Sequence, residues 1–221
     1  NYCKDGGAQS SPNQLGIMNA NHGAHPMMTL WEGNVAEQWQ SDGYYGSASH
    51  QTLFRNWFHG LHTTSTGNRK MIDITRSTYY VNVVGNVLGS PAWNPTAYEM
   101  SGDVSYSNSY IYRLGDYNMG NNGTTDGWPY TSYGFSPPDA QVAATLLRHG
   151  NYDYHADAIV WDAGNADHAV PDSLYYPSKP AYFGSLAWPP FSAASPGSAA
   201  VENIPAGYRY TNGSNPTTGG T

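Results

Sequence analysis

The stretch Thr29-Leu30-Trp31-Glu32-Gly33-Asn34-Val35 returns, altered, as Thr52-Leu53-Phe54-Arg55-Asn56-Trp57-Phe58 and again as Val81-Asn82-Val83-Val84-Gly85-Asn86-Val87. Each copy is an apolar run of strand composition that leads into an asparagine. Asn34 and Asn56 lie 22 residues apart, and Asn56 and Asn86 lie 30 apart. The longer interval contains Thr63 to Lys70, a stretch of turn composition whose removal restores the shorter spacing. A period this short suits neither a propeller blade nor a helical pair. It suits one turn of a solenoid, in which insertions fall at turns and leave the strands in register. The expected fold class is therefore all-β, a right-handed parallel β-helix with long loop excursions and an extended carboxy-terminal segment. Asn34, Asn56 and Asn86 would stack at one corner, because asparagine tolerates left-handed backbone and its amide can bond to the amide above and below.

Working outward, Ala36 to Gln40 and Met71 to Thr75 read as further short strands, each followed by turn residues. The sequence predicts one folding unit over 1–221. Regular rungs cover about 27–90, loop excursions about 91–136 (around a strand at Tyr110 to Leu114), a short helix and closing strand about 137–165, and an extended tail 166–221. The helix is expected from Pro137-Pro138-Asp139 ahead of Ala140 to Leu147, with Gly150 as its stop. Ala158 to Trp161 reads as the closing strand. The Pro- and aromatic-rich run from Pro171 to Tyr210 reads as an extended segment packed along the solenoid, and the chain is expected to fray from Thr211.

Composition narrows the function classes. A net charge of -7, with no cluster of Lys or Arg, argues against nucleic acid as a partner. No apolar run approaches the ~20 residues that span a bilayer. Cys3 stands alone and cannot form an internal disulfide; an inert thiol and intermolecular pairing both remain open. The first residues do not resemble a signal peptide, so the chain reads as beginning within a longer protein. Abundant Tyr, Asn and Thr with three lysines (Lys4, Lys70 and Lys179) suits a secreted, extracellular protein. Asn122-Gly-Thr and Asn212-Gly-Ser are glycosylation sequons.

Four segments carry a family resemblance: Asn21 to Pro26 followed by Leu30 to Val35, Gly46 to Asn56, Thr145 to Tyr154, and Ser178 to Pro190. Together they resemble the carboxy-terminal region of bacterial secreted right-handed β-helix proteins of the pectate-lyase-like superfamily, over most of residues 20–210. The resemblance implies that fold and further rungs upstream. It carries over no catalytic site, and the clustered aspartates with which pectate lyases bind calcium are not found.

Candidate chemistry therefore comes from the residues themselves. Glycoside hydrolysis needs two carboxyl groups across the sugar, and Asp42 and Asp73 fall at or near strands of adjacent rungs; equally, each suits a turn or a rung hydrogen bond. A polysaccharide lyase needs a base and a cation, which His50 and Arg55 could supply; equally, both could satisfy backbone groups between rungs. His22 with His25 and His59 with His62 form two His-x-x-His pairs with the ligand chemistry for a divalent metal, given a third ligand; chance pairing among eight histidines explains them as well. Nineteen tyrosines and seven tryptophans offer flat faces for sugars or for protein partners. Two functions are carried forward: carbohydrate binding or processing, with polysaccharide as partner, and a structural or adhesive module in which like subunits assemble into filaments.

Overall fold

The computed structural model describes residues 1–5, 18–20, 23–41, 46–63, 69–93, 95, 97–101, 109–116 and 138–216. In chain order the strands are β1 (Met18–Ala20), β2 (Leu30–Glu32), β3 (Val35–Ala36), β4 (Trp39–Ser41), β5 (Thr52–Phe54), β6 (Trp57–Phe58), β7 (Lys70–Thr75), β8 (Asn82–Val84), β9 (Val87–Leu88), β10 (Ala97–Ser101), β11 (Tyr110–Asp116), β12 (Leu147–His149), β13 (Asn151–Asp153) and β14 (Ala158–Val160). The helices are α1 (Ala140–Ala144) and α2 (Pro205–Asn212). Among the described residues the strands form three sheets, ordered β1-β4-β7-β11-β10, β12-β8-β5-β2 and β14-β13-β9-β6-β3.

The repeated stretches explain two of these sheets. Each copy contributes one strand before its asparagine and one after it, and equivalent residues pair without slippage. Leu30 lies beside Thr52, Thr52 beside Asn82 and Asn82 beside Leu147. Across the corner, Val35 pairs with Trp57, Trp57 with Val87 and Val87 with Tyr152. Slippage by one residue would turn every inward side chain outward, so burial of one face holds the register. Leu53, Phe58, Ile72, Val83, Leu88, Ile111 and Leu114 are buried in one core cluster with Trp39 and Tyr112. Each such side chain contributes about 1.5–3 kcal/mol relative to leaving it in water.

The expected asparagine stack is present and longer than expected. Asn34 donates from its backbone N and its Nδ2 to Asn56 Oδ1, at 2.9 and 2.8 Å. Asn56 makes the same two bonds to Asn86 Oδ1, both 2.9 Å, and Asn86 to Asn151 Oδ1, at 3.0 and 2.9 Å. The fourth member, Asn151, belongs to a copy of the repeat, Leu147 to Asp153, whose first part the sequence reading assigned to a helix. Helix α1 stops at Ala144, where the Thr145 hydroxyl donates to the Gln141 carbonyl at 2.8 Å. Leu147–His149 then enter β12 because their backbone pairs with β8. Asp139 does cap α1, accepting from the Gln141 amide at 3.1 Å.

The fold class itself requires correction. In place of an all-β right-handed parallel β-helix, the described residues form parallel and mixed sheets of five, four and five strands together with two α-helices. Strand β11 lies between β7 and β10, so the first sheet does not follow chain order. Strand β14 runs antiparallel to β13. It has to, because the four residues between them allow only a tight turn, which Asp153 braces by accepting from the His155 amide at 2.7 Å. The tail is not extended either: 3-10 turns occupy Ala181–Phe183, Pro196–Ser198 and Val201–Asn203 before α2. Pro205 fits the first turn of α2, where no amide hydrogen is needed, and Gly213 ends that helix in the left-handed region at φ 67. The segment read as an excursion around residues 97–101 is strand β10, while 94, 96, 102–108 and 117–137, including Asn122, lie outside the described residues. No helix among the described residues is long and apolar enough to cross a membrane.

Candidate functional site: an aromatic cleft beneath the carboxy-terminal strap

The left-handed geometry expected of the ladder asparagines falls instead on the residue before each of them, which turns the chain sharply: φ is 65 at Gly33, 47 at Arg55, 67 at Gly85 and 65 at Gly150. Glycine takes this conformation at little steric cost. Three glycines in a column also leave a shallow groove without side chains, and the segment 161–204 runs over it as a strap. A methyl group on Gly85 would come within 2.9 Å of Val170, and one on Gly150 within 2.6 Å of Trp161. Pro190 lies over Gly33, 3.7 Å from where such a methyl would sit. Arg55, the one non-glycine in the column, sends its guanidinium out of the groove. Its Nε donates to the Pro171 carbonyl at 2.6 Å, Nη2 to Val170 at 2.8 Å and Nη1 to Phe191 at 3.0 Å.

Between the strap, the edge of β2 and the start of α2 lies a cleft of about 540 Å3. That volume falls within the range of about 300–1,000 Å3 typical of ligand sites. Tyr175, Tyr176, Tyr182, Phe183 and Trp188 give it one aromatic wall. Tyr175 meets Tyr176 edge-on at 4.7 Å between ring centres, and Phe183 meets Trp188 edge-on at 4.8 Å. Tyr176 bridges the two pairs through Trp188 at 6.3 Å and Tyr182 at 6.1 Å. Tyr175 and Tyr182 remain 72% and 48% exposed, which leaves broad ring surface open to a ligand. Burial and a hydrogen bond with Tyr176 push the Tyr182 phenol well above its ordinary range, so it stays a neutral hydroxyl.

Charged groups sit at the rim in both signs: Glu32, Asp172, Arg55 and Arg209 line the cleft. Glu32 is already engaged, accepting from the Ser173 hydroxyl and, at 3.0 Å, from the Leu174 amide. Asp172 stands 4.0 Å from Arg55 with its side chain 65% exposed. The arrangement suits recognition of a polar ligand with flat apolar faces. It does not set two free carboxyl groups opposite each other.

The residues singled out for chemistry are scattered. Asp42 and His22 lie outside the described residues. Asp73 is buried at 3% exposure and forms a bidentate pair with Arg113, at 2.9 and 2.5 Å, while Arg113 also holds Asp116 at 2.9 Å. His50 stacks on Tyr80 at 4.9 Å on a different corner of the fold from Arg55. His25 and His50 do converge, on a serine: Ser49 Oγ is 2.8 Å from His25 Nε2 and 2.9 Å from His50 Nδ1. His59 is buried against Trp57 and accepts the Leu61 amide on Nδ1 at 3.0 Å; burial pushes its pKa down to about 4. His62 lies 3.9 Å from Asp5. Among the described residues no group of three or more His, Cys, Asp or Glu side chains could hold a metal ion. Of the expected residues that the structure describes, only Arg55 lines the cleft.

Sequence reasoning pointed to the aromatic residues of the strap but missed Arg209 and also Glu32 and Asp172, whose partners are remote in the chain. One signal was available: arginine stands in the second copy where two others have glycine, and a position that prefers glycine keeps another residue for a reason outside the turn. Comparison of the chain with protein families, with curated proteins and with solved structures found no match.

Proposed function

We propose that this chain is an extracellular carbohydrate-binding module and that its binding site is the aromatic cleft beneath the strap. The observation that carries the reading is the cluster of Tyr175, Tyr176, Tyr182 and Trp188 in the lining of the cleft. Sugar rings have an apolar face that stacks on such side chains, while phenol and indole groups hydrogen-bond to hydroxyls. Binding is favoured over cleavage because Glu32 is held by the strap and Arg55 spends its donors on backbone carbonyls. The tyrosine-rich, lysine-poor composition supports the same reading.

Affinity electrophoresis and calorimetry against a panel of soluble neutral and acidic polysaccharides test it. At least one polysaccharide is expected to bind, with Tyr175→Ala and Tyr182→Ala each weakening binding about two- to tenfold, as the loss of one aromatic contact of about 0.5–1.5 kcal/mol predicts. Failure of the wild-type protein to retain any polysaccharide, or unchanged affinity in both variants, would remove the cleft as the site.

A further inference from the structure

Arg55 is the most unusual residue of the repeat. It occupies a left-handed position, φ 47, that the equivalent members of three other copies fill with glycine. Its side chain is not left in solvent to compensate: the residue is 7% exposed. All three guanidinium nitrogens are used, and each bonds to a carbonyl of the strap. Two of those carbonyls, Val170 and Pro171, belong to the limb that enters the cleft wall, and the third, Phe191, belongs to the limb that leaves it. The residues between the limbs include Asp172, Tyr175, Tyr176, Tyr182 and Trp188.

We infer that Arg55 is a positioning residue for the cleft, clamping together the two ends of the loop that forms its aromatic wall. The inference rests on the carbohydrate-binding reading above and adds the residue that makes the site rigid. A planar fork with fixed donor directions is what the task needs. Lysine, a single flexible point charge, could not hold three carbonyls from two limbs in one geometry. The strained backbone at Arg55 persists because the surrounding contacts over-determine it, as strained residues near functional sites commonly do.

The test compares wild type, Arg55→Gly and Arg55→Asn in the same chain, since glycine and asparagine both accept the left-handed turn but neither reaches the strap. Hydrogen exchange is followed at the strap amides of Phe183, Gly184 and Leu186, which bond within the strap, and at the body amides of Trp57 and Val87, which bond to Asn34 and Asn56. Binding is measured by calorimetry with whichever polysaccharide of the panel the wild type retains. The expected result is at least tenfold faster exchange in the strap, unchanged protection in the body, and at least tenfold weaker binding. Strap exchange equal to wild type in both variants overturns the clamp. Faster strap exchange with affinity within twofold of wild type overturns its role in positioning the site. A wild-type protein that binds no polysaccharide fails the carbohydrate reading instead, and the exchange measurement still reports separately whether the clamp exists.

Discussion

Replacing Asn56 with alanine should be among the most damaging single changes in this chain, although it removes few atoms. Asn56 is fully buried. Its Oδ1 accepts both the backbone and side-chain amides of Asn34, and its Nδ2 donates to the Trp31 carbonyl at 2.8 Å and to Asn86 Oδ1 at 2.9 Å. Truncation therefore strands two buried donors on Asn34 and removes the side-chain bond to the Trp31 carbonyl, while Asn86 Oδ1 retains the Asn56 backbone amide. A buried polar group left unpaired costs about 1–3 kcal/mol, so after partial relaxation the loss should be about 4 kcal/mol. For a chain of this length that corresponds to a fall in melting temperature of about 8–16 °C. Calorimetric melting of Asn56→Ala beside Asn82→Ala measures it. Asn82 is half-buried and makes one long side-chain bond, 3.3 Å to Thr52, so its truncation should cost about 0.5 kcal/mol or less. Combined truncation of Asn56 and Asn86 should cost less than the sum of the two, since they share a bond. A melting point for Asn56→Ala within about 2 °C of wild type would refute the ladder as a source of stability.

The buried ion cluster and one histidine give two further tests. Arg113→Met leaves the carboxylates of Asp73 and Asp116, 3% and 4% exposed, without the guanidinium between them. It should cost about 3–5 kcal/mol in urea denaturation, and an unchanged midpoint would show that the pair is not structural. His59 is held neutral by burial, with its pKa near 4 in the folded protein against 6.5 for the ordinary side chain. Between those values the unfolded chain takes up a proton that the folded one refuses, so stability is intact above pH 6.5 and declines as pH falls towards 4. The full decline attributable to this group is about 3 kcal/mol. Denaturation of wild type and His59→Gln at pH 7 and pH 4.5 should show a shallower acid loss in the variant; equal losses would assign the effect to other groups.

How much was legible depended on whether a feature was local in the chain. The ladder of Asn34, Asn56 and Asn86 could be read because each copy states the same strand, turn and amide. Asn151 escaped because Ala140 to Leu147 has helical composition, and only pairing with β8 decides that Leu147–His149 is a strand. Asp73 looked like a candidate acid because its partner, Arg113, is 40 residues away. The cleft was half legible: its aromatic residues are dense in the sequence, but Glu32, Arg55 and Asp172 meet only when the strap crosses the corner column.

By itself, then, the amino-acid order determined the short-range rules: short strands, an asparagine at each corner, a negative charge and a wealth of aromatic rings. These follow from backbone sterics and side-chain chemistry that act within a few residues. The tertiary structure decided which strand joins which sheet, that β14 turns back antiparallel, that the tail folds into 3-10 turns and a helix, and that Arg55 grips it. Those outcomes depend on hydrogen bonds and burial between distant segments, such as Arg55 and Phe191, 136 residues apart. No local pattern encodes them, because the free energy that selects each one exists only once both partners are in place.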